Sequence, residues 1–105
     1  MARFDVYANP DASERKVVPY LLDVQSDLID QLSTRLVMPL SRVGASQPRL
    51  PPSLCLVVEI KAESLTLLAY LAAPVAARLL TKPVGSLRYR ASEISAALDA
   101  VISGF

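Results

Sequence analysis

Only one stretch of this chain repeats its apolar residues at helical spacing, and it is the last one, Ala91 to Phe105. Ile94, Ala97, Leu98, Val101 and Ile102 fall at i, i+3, i+4, i+7 and i+8, the apolar stripe of an amphipathic helix. Glu93, Ser95, Ala96, Asp99 and Ala100 take the other face. Ser92 is suited to cap the helix, since its hydroxyl can accept a bond from an orphan amide one turn in. Gly104 offers the left-handed residue that commonly stops a helix, and Phe105 follows it. Everything before this stretch reads as strands and turns. The stripe is therefore expected to be buried by laying one helix on a sheet.

The strands follow from alternation and from breakers. Phe4 and Val6 alternate with Asp5 and Tyr7, so Arg3 to Tyr7 reads as a half-buried strand. Asn9 to Ser13 is a turn-rich loop, and Glu14-Arg15-Lys16 a solvated charged cluster. Val17 to Val24 marks a second strand, with Pro19 near its start. Gln25 to Asp30 connects it, through a turn at Gln31 to Thr34, to a third strand, Arg35 to Leu40. Ser41 to Ser53, with Gly44, Pro48, Pro51 and Pro52, reads as a loop. The continuous apolar run from Leu54 to Ile60 predicts a central strand. Lys61 to Ser64 turns it back into a hairpin partner, Leu65 to Tyr70, although Leu67 to Ala73 alone has helical propensity. Ala72 to Val75 and Thr81 to Val84 look like two proline corners, and Gly85 to Arg90 leads into the helix.

At 105 residues the chain is expected to form one domain spanning 1–105. Its apolar fraction of 52% exceeds the usual ~45–50%, an excess that suits burial in a partner subunit. A net charge of +1 argues against binding nucleic acid by neutralising phosphates. There is no histidine, which removes Ser-His-Asp and Cys-His nucleophilic sites and the commonest metal ligand. With a single cysteine, Cys55, neither a zinc site nor an internal disulfide is credible, and a reducing cytoplasm is the expected setting. Cys55 itself reads as a buried, inert thiol. The three glycines stand far apart, so no glycine-rich phosphate loop is present. Asp23, Asp27 and Asp30 match no calcium-loop spacing and read as turn carboxylates. No signal peptide or membrane span is expected. Met1 to Asp5 lacks a leader pattern, and the uncharged run from Ser64 to Ala77 is broken by Pro74. No cofactor is implied.

The wording of two segments is more specific. Leu22-Asp23-Val24-Gln25-Ser26-Asp27-Leu28-Ile29-Asp30, followed by Arg35-Leu36-Val37-Met38-Pro39-Leu40, resembles the CcdB toxins. In that family V-D-V-Q-S-D-I-I-D leads to R-x-V-I-P-L. Phe4-Asp5-Val6-Tyr7 is similar to the family's F-x-V-Y, and Ala73-Pro74-Val75 to its V-P-V corner. The loop before Leu54 and the closing helix match in position. The resemblance covers essentially the whole chain.

That resemblance implies a homodimeric SH3-like barrel with an antiparallel sheet and a C-terminal helix. It implies the toxin half of a toxin–antitoxin pair, acting by contact rather than by catalysis. The family binds the A subunit of DNA gyrase and traps the enzyme–DNA cleavage complex. A CcdA-like antitoxin neutralises it through a disordered segment that orders on the toxin. Direct binding to nucleic acid or to a membrane is not implied. Family gyrase contacts, carried over by position, are Ser103, Gly104 and Phe105, the pair Leu28 and Ile29, and Phe4. Ser103 stands where the family has a tryptophan on which a gyrase arginine stacks, and Phe105 where it has isoleucine.

Two other readings share the barrel. An endoribonuclease toxin of the MazF/Kid type would need groups such as Arg35, Arg42 and Arg88 to converge on one phosphate. An antitoxin-binding paralogue would have lost gyrase activity.

Overall fold

The computed structural model describes residues 2–29, 31–42 and 55–103. Among these, seven strands form one antiparallel sheet with one α-helix against it. The strands are β1 (Asp5–Ala8), β2 (Tyr20–Asp23), β3 (Thr34–Ser41), β4 (Cys55–Ile60), β5 (Glu63–Leu68), β6 (Ala73–Ala76) and β7 (Gly85–Ser86). The helix α1 spans Ala91–Ser103. The sheet runs β4-β5-β3-β2-β1-β7, with β6 pairing β3 beside that path. It curls into a half-barrel, the SH3-like arrangement that the resemblance implies.

The curl originates in β3. Its first half pairs β6, from Thr34↔Ala76 to Val37↔Ala73, and its end pairs β5 at Leu40↔Leu67 and Ser41↔Thr66. Pro39 sits between the two. Leu36 turns its carbonyl toward β2, where it accepts from Val24 N, so alternation points Pro39 the other way. Its missing N–H thus falls in the break between β6 and β5. A proline inside a central strand is tolerated because the ladder is already interrupted there.

Two cores flank the sheet. The larger lies under α1 and joins Val6, Leu22, Met38, Leu40, Val58 and Leu67 to Ile94 and Ala97. The smaller, on the opposite face, holds Tyr7, Leu21, Val37 and Leu80. Tyr7 was expected on the solvent side of its strand; Leu80 and its neighbours cover that face, so both sides of β1 are buried.

Several boundaries differ from the sequence reading for local reasons. β1 begins at Asp5 rather than Arg3, because Phe4 has a left-handed backbone, φ 73°. The described part of the Leu54–Ile60 run, Cys55–Ile60, forms an edge strand among the described residues, not a central one. There Val57 is 59% exposed and only alternate residues are buried. The competition between strand and helix at Leu65–Ala73 resolves into both, with β5 ending at Leu68 and one 3-10 turn following at Ala69–Leu71. The expected corner at Ala72 to Val75 contributes β6. Residues 43–53 of the predicted loop and the side chain of Cys55 lie outside the described residues.

α1 starts at Ala91, continuing a 3-10 turn over Arg88–Arg90, so Ser92 is inside its first turn rather than capping it. The start is held instead by Arg90, whose Nε lies 2.6 Å from Glu93 Oε1 and whose Nη1 donates to Val57 O. The Arg90 guanidinium holds the Glu93 carboxyl below its ordinary range. Only the first half of the apolar stripe is buried: Ile94 and Ala97 are covered, whereas Val101 is exposed and Ile102 is 76% exposed. The last helical turn runs past the sheet.

Candidate functional site

The candidate site is built where β2 hands over to β3. Asp23 ends β2 and Arg35 lies near the start of β3, and the register Asp23↔Val37 places them diagonally on the smaller-core face. Their side chains are 0% and 1% exposed, and Arg35 Nε meets Asp23 Oδ2 at 2.7 Å. A buried charge is tolerated only when paired and hydrogen-bonded. Asp23 Oδ1 also accepts from Gln25 N, and Arg35 Nη2 donates to Gln25 O. Arg35 Nη1 makes no hydrogen bond among the described residues. Burial, reinforced by Asp5 and Asp23, pushes the phenol of Tyr7 above its ordinary value.

This pair anchors the segment that follows. Gln25 is buried, and its side chain reaches two ways. Nε2 donates to Ile29 O at 2.8 Å, and Oε1 accepts from Leu36 N at 3.1 Å. Ser26 closes the turn from inside, with its carbonyl accepting from Ile29 N and its hydroxyl oxygen from Leu28 N. Asp27 Oδ1 accepts from Arg3 N at 2.9 Å. The result is one 3-10 turn, Asp27–Ile29, fastened to β3 and to the segment before β1. It presents Leu28, 95% exposed, beside the half-exposed Ile29. With Gln31 and Leu32 they line a groove of about 290 Å³. Leu32 had no place in the sequence reading. Its signal is a third aliphatic residue close after Leu28 and Ile29 in a short connecting segment.

The other resemblance-based positions are dispersed. Phe4 is buried in the larger core, and its ring carries the Arg3 guanidinium 4.8 Å from its centroid. Arg3 Nε also donates to Val24 O, so Phe4 connects to the turn through Arg3 rather than sharing its surface. Ser103 is exposed at the end of α1, and its Oγ donates to Asp99 O at 2.6 Å. Gly104 and Phe105 lie outside the described residues. α1 packs toward β4 and the Ala69–Leu71 turn.

Of the three acidic residues read as turn carboxylates, only Asp27 is seen in that role, because Asp23 lies at the end of β2 in a buried ion pair. Asp23 is paired with Arg35, Asp27 accepts a backbone amide, and Asp30 lies outside the described residues. Of the three arginines of a phosphate-cleaving site, Arg35 and Arg42 are each engaged with a different carboxylate. Arg35 is buried on Asp23. Arg42 follows the end of β3, seven residues on in sequence. It is paired with Glu63 and donates to the carbonyls of Arg15 and Lys16.

These features define a class: a small, curled antiparallel barrel that displays apolar residues on a braced turn and at a helix end. The chain belongs to the CcdB family; the model described as "CcdB protein" matches residues 3–104. That membership supports its assignment as the toxin of a toxin–antitoxin system. No curated protein matches the sequence.

Proposed function

We propose that this protein binds the A subunit of DNA gyrase and traps the gyrase–DNA cleavage complex, and that a CcdA-like antitoxin relieves it. The observation that carries the reading is Leu28, almost fully exposed on a turn with side-chain tethers, in a chain that matches the CcdB family along nearly its whole length. A large aliphatic group left in water on a rigid turn is suited to anchor a partner, because little ordering accompanies its burial. Ile29 and the tail Ser103-Gly104-Phe105 complete the contact, with Phe105 as the tail's large apolar group. Phe4 acts from within the core, through Arg3. The protein works as a cytoplasmic homodimer, a reading supported by the apolar surface of Leu71, Val101 and Ile102.

The test is inhibition of gyrase supercoiling at matched concentrations of intact protein, of Leu28→Asp, and of a form lacking Ser103 to Phe105. The intact protein inhibits and both variants do not. Equal inhibition by all three removes the mechanism. Ser103 in place of the family's tryptophan favours a second reading, an antitoxin-binding paralogue. It becomes the better one if intact protein binds antitoxin without inhibiting gyrase. A monomer at micromolar concentration in sedimentation overturns the dimer.

A further inference from the structure

We infer that Gln25 is the positioning residue of the docking turn, holding Leu28 and Ile29 in their binding shape before any partner arrives; this rests on the gyrase reading above. Four hydrogen bonds converge on this one residue. Its side chain joins Ile29 O to Leu36 N, and its backbone joins Asp23 Oδ1 to Arg35 Nη2. The side-chain amide is thus the direct link between the exposed turn and β3. Glutamine suits this because one planar group offers a donor and an acceptor on opposite sides. The turn's own bonds are few: Ile29 N to Ser26 O, and Leu28 N to Ser26 Oγ. Without the Gln25 amide, Ile29 O loses its tether, and the last residue of the turn is free to sample other conformations. Partner binding would then have to order the turn, which raises the free energy of the complex.

The role is positional, since Gln25 is buried and Leu28 and Ile29 carry the exposed surface. It predicts a distinctive pattern. Gln25→Met keeps the length and removes both side-chain bonds. In the free protein, amide exchange at Leu28 and Ile29 accelerates, whereas amides inside β2, such as Leu21 and Leu22, stay protected. Bound to the purified gyrase A subunit, Gln25→Met dissociates about ten-fold faster, with association little changed. Ile94→Val, buried beneath α1 and remote from the turn, lowers stability and leaves the dissociation rate as it was. Gln25→Glu, which keeps an acceptor for Leu36 N and loses the donor to Ile29 O, serves if the methionine variant does not fold. It shows the same selective exchange and faster dissociation.

The inference is overturned if the glutamine variants dissociate at the wild-type rate, or if Ile94→Val speeds dissociation equally. It is also overturned if exchange accelerates uniformly through the sheet. If the wild-type protein does not bind the A subunit, the gyrase reading fails. Exchange in the free protein then decides the Gln25 tether by itself, with unchanged protection at Leu28 and Ile29 overturning it.

Discussion

The Asp27–Ile29 turn and the last turn of α1 both leave aliphatic side chains in water, but they are held in opposite ways. Leu28 and Ile29 sit on a turn tied to the rest of the fold by the Arg3 backbone N–H on Asp27, by the Gln25 side chain and ultimately by the Asp23–Arg35 pair. Val101 and Ile102 sit on continuous helix, and the Ser103 hydroxyl makes a local bond, to Asp99 O. The first depends on tertiary structure for its shape, and the second carries its shape in its own backbone. An exposed apolar residue is therefore only half of a docking site. The other half is what fixes the backbone beneath it.

The strongest way to break the contrast is Arg35→Met. It leaves the Asp23 carboxylate buried without its partner, which is expected to lower stability by about 3–5 kcal/mol in urea unfolding. Replacing both residues, as Asp23→Leu with Arg35→Met, is expected to recover much of that loss, because no uncompensated charge remains. If Arg35→Met unfolds at the wild-type midpoint, the pair does not support the turn.

Leu28→Ala separates binding from folding. The side chain touches mostly solvent, so unfolding should shift by no more than ~0.5 kcal/mol. Affinity for the gyrase A subunit in calorimetry should fall about 10- to 100-fold if Leu28 is an anchor. Unchanged affinity would move the contact elsewhere.

A third exposed turn sharpens the comparison by carrying strain without tethers. β4 and β5 are joined by Lys61-Ala62, since Ile60 pairs Glu63, and both residues have left-handed backbones, φ 50° and 65°. Such two-residue hairpin turns favour Asn-Gly. Ala62→Gly should stabilise the protein by about 0.5–1 kcal/mol, measured as a higher melting temperature, since it relieves the left-handed penalty on alanine. A lower melting temperature would show that the strain is absent. The smallest effect belongs to the helix end. Ser103→Ala removes a surface bond within one helical turn and should change stability by less than ~0.5 kcal/mol in the same melts. A larger loss would mean that the tail is fastened after all.

Alternation and helical spacing, being local properties, made β1 to β5 and α1 legible at least in outline. The resemblance reached further, to the barrel and the family. Three features escaped because they depend on which element lies alongside. Asp23 reads as a turn carboxylate until strand pairing brings Arg35, twelve residues on, against it. Gln25 reads as a polar residue in a connection until β3 supplies Leu36 N for its side chain. Val57, inside a continuous apolar run, reads as buried until the sheet ends at β4.

The sequence by itself determined where the chain alternates, where it turns and that one helix would close it, because those depend on neighbours within a few residues. The tertiary structure alone decided that Pro39 falls at the break between β6 and β5, that Tyr7 is core, and that half of the α1 stripe overhangs the sheet. The reason is physical. Burial and hydrogen-bond pairing are set by what packs against a residue, and in an antiparallel barrel those neighbours are distant in sequence.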